Sequence, residues 1–184
     1  MLEAAGVAVT PVPALVDEDS IKAAMIAEQA KPRDIADALA QAKAQKLSRK
    51  YLRSLVIGSD QILEMADGSL LGKPCDQAEA KQQLRALSGQ SHKLISAAVI
   101  CEAGQPVWRQ IESVKMTMRP LSEGFIDSYV DSYWNEIQYC VGCYRIEAEG
   151  AQLFERIEGS QFAVIGMPLL PVLDYLRVRG ILAS

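Results

Sequence analysis

The order of apolar and polar positions divides the chain into short extended runs and longer helical ones. Residues 1–6 read as the last turn of a helix closed by Gly6, and GVAVTPVPALVDED continues in strand-like alternation toward Asp17 and Glu18. Between Lys31 and Tyr51 the period becomes helical. Pro32 suits the first helical position, and Ile35, Leu39, Ala42 and Leu47 recur on one face. Leu55, Val56 and Ile57 read as a buried strand that runs into a small-residue turn at Gly58 and Ser59 and resumes through Gln61, Ile62 and Leu63. Asp67 and Gly68 make a turn, and Gly72, Lys73 and Pro74 lead to a helix. Asp76 is its N-cap, QAEAKQQLRAL its body, and Ser88 and Gly89 its stop.

Residues 92–100 then read as a strand, 102–105 as a turn and 107–116 as a return strand. Leu121 to Trp134 is helical again, capped by Ser122, with Phe125, Ile126, Tyr129 and Val130 as its apolar face. From Cys140 the chain mixes short strand and glycine turn before a closing helix from Leu169 to Val178. Strands alternating with helices over 1–184 predict one α/β domain, and the hairpin predicts a mixed sheet flanked by helices. No internal repeat or low-complexity linker interrupts it.

Composition narrows the classes of function. At 184 residues, 49% of them hydrophobic and 23% charged, the chain is long enough for one large domain or two small lobes. The net charge of −4 leaves no chain-wide positive field for nucleic acid, so an anionic ligand needs a local basic pocket. No apolar run reaches the length of a membrane span, and the start lacks the basic region of a signal peptide, so a cytoplasmic protein without membrane partners is expected. Four cysteines in a chain of this length predict reduced thiols.

The chemistry concentrates between Leu55 and Pro74, where the apolar strand presents Asp60 and the following turn delivers Lys73. A carboxylate that activates water or holds a cation, beside an ammonium that neutralises phosphate oxygens, suits metal-assisted attack on a phosphate. Cys140 and Cys143 have redox or zinc spacing. A second pair is missing and His92 is the sole histidine, which favours two packed thiols over a zinc or redox site. His92 opens a strand and reads as structural; Trp108 and Trp134 read as core or interface residues.

Five segments carry a family resemblance: VDED at 16–19, LAQAKA at 39–44, VIGSDQ at 56–61, LGKPCDQAEAKQQLRALSGQSH at 71–92, and LFERIEG with VIGMPL within 153–169. In this order and spacing the chain resembles the Maf family of nucleoside triphosphate pyrophosphatases. The resemblance implies cleavage between the α and β phosphates with a divalent cation, Mg²⁺ or Mn²⁺. It also implies a Maf/ITPase-like fold with two lobes around a central cleft, usually as a homodimer. By the same resemblance Asp60 is the catalytic acid and, with Glu18, a metal-holding carboxylate, while Lys43 and Lys73 face the phosphates.

Two positions point to a branch. Gln61 stands where many members have threonine, and Glu147 where many have glutamine; GSDQ with LFERIEG resembles the branch acting on 7-methyl-GTP. A carboxylate accepts two hydrogen bonds from the adjacent N–H donors of a guanine edge, and N7-methylation makes that ring cationic. Family members also begin with a strand and a loop carrying a serine and paired arginines, which nothing here matches. Either the written start lies downstream of the true one, or the chain is shortened and its activity weak or lost. In the latter case it would act as a nucleotide-binding or regulatory module.

Overall fold

Short polar side chains decide where three of the helices begin. Asp17 accepts from the Ser20 N–H at 3.0 Å, Asp76 from the Glu79 N–H at 2.7 Å and Ser122 from the Phe125 N–H at 3.2 Å, each side chain capping donors of a first turn. The computed structural model describes residues 1–183. Its helices are α1 (Glu18–Ala27), α2 (Pro32–Ser48), α3 (Gln77–Leu87), α4 (Glu123–Ile137), α5 (Gln161–Ile165) and α6 (Leu169–Val178). Its strands are β1 (Leu55–Glu64), β2 (Leu70–Leu71), β3 (Ser91–Glu102), β4 (Gln105–Met118) and β5 (Phe154–Glu158), in one sheet of order β2-β1-β3-β4-β5. The α/β class stands as expected, with antiparallel pairing at both edges of the sheet, β1 with β2 and β4 with β5.

Two local expectations fail. The alternating run after Gly6 forms no strand, because Pro11 and Pro13 cannot donate to a ladder. Its acidic end instead opens α1, unforeseen in the sequence. Gly58 and Ser59 make no turn either: β1 runs unbroken from Leu55 to Glu64, with Asp60 inside it.

Packing resolves two compact units. One comprises Met1–Asp60, Ser96–Glu112 and the chain from Gly166 onward. There Val7, Ala98, Val172 and Leu176 are buried, and Trp108 stacks on Tyr175 with centroids 5.4 Å apart. Arg179 reaches both oxygens of Glu102, at 3.1 and 2.9 Å, and ties α6 to the end of β3. The β3–β4 turn places Ala103 (φ 48) and Gly104 (φ 81) in the left-handed region, as a two-residue hairpin requires. The end of α2 holds that turn. The buried Ser48 hydroxyl accepts from the Gly104 N–H at 2.9 Å, and the Gln45 amide donates to the Gly104 carbonyl at 3.0 Å.

The other unit comprises Gln61–Ile95 and Ser113–Ile165. Its core joins Leu63, Leu84, Leu94, Met116, Met118, Ile126 and Leu153, all at most 1% exposed, so α3 and α4 cover this part of the sheet. His92 lies inside it, 2% exposed, its Nε2 2.7 Å from the Tyr144 hydroxyl and its Nδ1 without a partner. Cys143 is buried, its thiol 3.2 Å from the Gln83 side-chain oxygen Oε1, a packed thiol as expected.

Burial lowers the His92 pKa from 6.5 to about 4. In the unfolded chain this imidazole takes up a proton near pH 6.5, whereas the folded state resists until about pH 4. Its stabilisation is therefore complete above 6.5 and is lost as pH falls toward 4. The loss is on the order of 3 kcal/mol. Urea unfolding of His92→Gln between pH 7 and 4 should show a shallower decline than wild type; equal slopes would assign the decline to other groups.

Candidate active site

Strand periodicity places Gly58 and Asp60 on one face of β1, two residues apart. On α2 the small residues Ala36, Ala40 and Ala44 repeat every fourth position and are fully buried. Their size lets strand and helix meet backbone to backbone: a Cβ at Gly58 would lie 2.3 Å from the Ala40 carbonyl oxygen and 2.7 Å from the Ala44 nitrogen. Lys43, one residue before Ala44, consequently reaches Asp60.

The contacts are short. Lys43 Nζ donates to Asp60 Oδ1 at 2.5 Å and lies 2.9 Å from Glu18 Oε1, which α1 supplies. Asp60 is 9% exposed and its Oδ2 is buried without a hydrogen-bond partner. Burial raises the Asp60 pKa, and the Lys43 ammonium offsets that only in part. For Lys43, burial opposes the charge, but its hydrogen bonds and attraction to Asp60 and Glu18 prevail and raise its pKa. A carboxylate displaced toward neutrality, with one oxygen unengaged, is suited to take a proton from water. Beside it, the Ser59 hydroxyl lies 2.8 Å from the Ala97 carbonyl oxygen and 2.6 Å from that of Gly166, donating to one at a time.

The remaining candidates belong to the other unit. Gln61 donates its side-chain amide to the Ala163 and Val164 carbonyls, at 2.9 and 3.0 Å, and so fastens α5. Lys73 is exposed in the loop before α3. Glu147 is exposed, with Arg145 Nε 3.5 Å from its Oε1. Both act on the half-buried Cys140 thiol: burial and then Glu147 raise its pKa, whereas Arg145 and Lys73 lower it. The structure thus gathers Glu18, Lys43 and Asp60 into one trio and Lys73 and Glu147 around Cys140.

A cavity of about 270 Å³ next to Glu147 is bounded by Tyr129, Tyr133, Glu136, Arg145 and Glu149. A larger groove of about 780 Å³ runs between the amino-terminal segment and the start of β1, past Val9, Tyr51, Ile57 and Met167. None of the six candidate residues lines either.

Comparison with known proteins gives this arrangement its context. A family model described as Maf-like protein matches residues 1–179. The chain belongs to the Maf family. Among its relatives is a protein of Ruegeria pomeroyi named nucleoside triphosphate pyrophosphatase, 48% identical over 99% of this chain and 91% of its own length. Proteins of the same name from Hyphomonas neptunium, 48% identical over 100% of this chain and 92% of their own, and Caulobacter vibrioides, 46% identical over 99% and 90%, align similarly.

For a divalent cation, the donors at hand are Glu18 and Asp60, with Asp60 Oδ2 unengaged. No cluster of three or more His, Cys, Asp or Glu able to hold a metal occurs among the described residues. Two carboxylates fit a hard cation that takes its other ligands from water and phosphate. Sequence reasoning missed Arg145, which engages Glu147 from two residues away; the RIE spacing was the available signal. It also missed the Ala36–Ala40–Ala44 face, whose signal is the run of alanines spaced by four.

Gly58→Ala should be expensive despite its small size, because the new methyl meets helix backbone and no side chain can swing aside. A loss of about 1–3 kcal/mol in urea unfolding is expected, together with a larger fractional loss of activity as Asp60 moves from Lys43. Unchanged stability would mean that strand and helix separate at no cost.

Proposed function

We propose that the chain hydrolyses nucleoside triphosphates to nucleoside monophosphate and pyrophosphate, and that the trio of Asp60, Lys43 and Glu18 is its reacting centre. The observation that carries this reading is the buried, unpartnered Asp60 Oδ2 on a carboxyl whose pKa is raised. The names of the relatives support the hydrolase class. In the reaction, water loses a proton to Asp60 as its oxygen attacks the α-phosphorus; the bond from that phosphorus to the bridging oxygen breaks, and pyrophosphate departs with the electron pair. Lys43 and Lys73 neutralise phosphate oxygens. A divalent cation, Mg²⁺ or Mn²⁺, held by Glu18 and Asp60 would lower the pKa of water and the charge on the phosphates.

Glu147 is proposed to read the base, with Gln61 supporting the same branch, and 7-methyl-GTP is the proposed substrate. The exposed carboxylate suits the N1–H and N2–H₂ donors of guanine and the positive charge of the methylated ring. The nearby cavity with Tyr129 and Tyr133 supplies aromatic surface for it.

Product analysis tests the reaction: a panel of triphosphates should yield pyrophosphate, and orthophosphate as the first product would sink the proposed bond cleavage. Asp60→Asn, which keeps shape but removes charge, should lower kcat by about 10²-fold or more. A variant of near-normal rate would move the base elsewhere, with Glu18 the next candidate.

Specificity has its own measurement. Glu147→Gln should cost about ten- to a hundredfold in kcat/KM for 7-methyl-GTP, the scale of one charged hydrogen bond, and less for thymidine and uridine triphosphates. A uniform drop across bases would show that Glu147 supports the fold and does not read the ring.

A further inference from the structure

Helix α1 contributes nothing fully buried to the core. It is bounded on both sides by non-glycine residues in the left-handed region, Leu15 at φ 50 and Gln29 at φ 57. Half-buried Ile21 and Met25 seat it, and charged side chains are presented beside them. One presentation is Glu18, bound to Lys43. The other lies one helical turn further along the same face, at Lys22.

Lys22 is half-buried and its ammonium takes part in no ion pair or hydrogen bond among the described residues, although Glu18 and Asp19 precede it within a turn. Its charge is nonetheless felt at Asp60, where it acts to lower the pKa. With both carboxylates ionised, Glu18, Lys43 and Asp60 sum to one negative charge, a poor welcome for a polyphosphate. Lys22 brings the group to neutrality, and unlike Lys43 its ammonium has no carboxylate to surrender before meeting an anion.

We propose that Lys22 is a substrate-positioning residue that grips the phosphate chain from α1. The inference rests on the triphosphate reading of the Asp60 site. It assigns Lys22 the task of drawing the polyphosphate toward Asp60, with Glu18 keeping Lys43 turned to the same place. Because the role is electrostatic attraction and not proton transfer, it acts on binding of the ground state and should leave the chemical step nearly untouched.

The test uses the full chain and two probes: inorganic tripolyphosphate by titration calorimetry, and a nucleoside triphosphate in steady-state kinetics. Lys22→Gln, which keeps much of the aliphatic stem, and Lys22→Ala should each weaken tripolyphosphate binding and raise KM by about five- to tenfold, with kcat changed less than about threefold. Lys22→Arg should restore most of both. The difference should shrink at high ionic strength. Wild-type and Gln variants that bind tripolyphosphate equally would overturn the proposal, as would a fall in kcat at constant KM. Absence of pyrophosphate release from the wild type would instead remove the reaction assigned above, while the tripolyphosphate comparison would still report on Lys22.

Discussion

At Gly58 the backbone of β1 rests against the backbone of α2, and the geometry of the reacting trio depends on that approach. A strand normally stands off a helix by the thickness of two side chains. Here one partner has none and the other offers only Ala40 and Ala44. The gain is proximity: Asp60 shares the face of Gly58, Lys43 shares the turn of Ala44, and the two charged ends meet at 2.5 Å. Taking such a pair out of water is costly, and its mutual attraction offsets that cost only where the geometry is good. Stability alone does not explain a trio with a buried carboxylate oxygen left unpaired; the chemistry proposed for Asp60 does.

Charge is arranged differently in the two units. Around Asp60, ammonium and carboxylates are in direct contact and partly buried, so water screens them weakly. Around Glu147 the side chains are exposed and Arg145 is at 3.5 Å, where screening is strong and individual attractions are small. The first environment can hold an altered proton affinity. The second can hold a donor–acceptor pattern that remains adjustable to its ligand.

Much of this was legible in the sequence where periodicity and caps coincide. Asp76 and Ser122 start α3 and α4 as expected, and the hairpin from Ser91 to Met118 contains the two strands read at 92–100 and 107–116. Helix α1 escaped because apolar alternation through Val7 and Val9 ran into Pro11 and Pro13, and because a helix burying nothing has a weak apolar stripe. Asp17 with Ser20, followed by Ile21 and Met25, was the available signal. Glu18, Lys43 and Asp60 were identifiable as types, yet their contact depends on a glycine opposing two alanines, which no single segment displays. Gly58 looked like a turn former when its missing side chain serves close packing.

The clasp between α2 and the β3–β4 turn bears on how this chain can vary. Hairpin tips in general tolerate added residues because both faces of the turn see water. Here Ser48 and Gln45 bind the N–H and the carbonyl of the same glycine, and a Cβ on Gly104 would lie 3.0 Å from Arg49 Cγ. An inserted residue would forfeit both bonds and strand the buried Ser48 hydroxyl. The tip is therefore a ruler that sets how far β3 and β4 extend past the helix, and a change of length there would have to be absorbed by the two strands themselves.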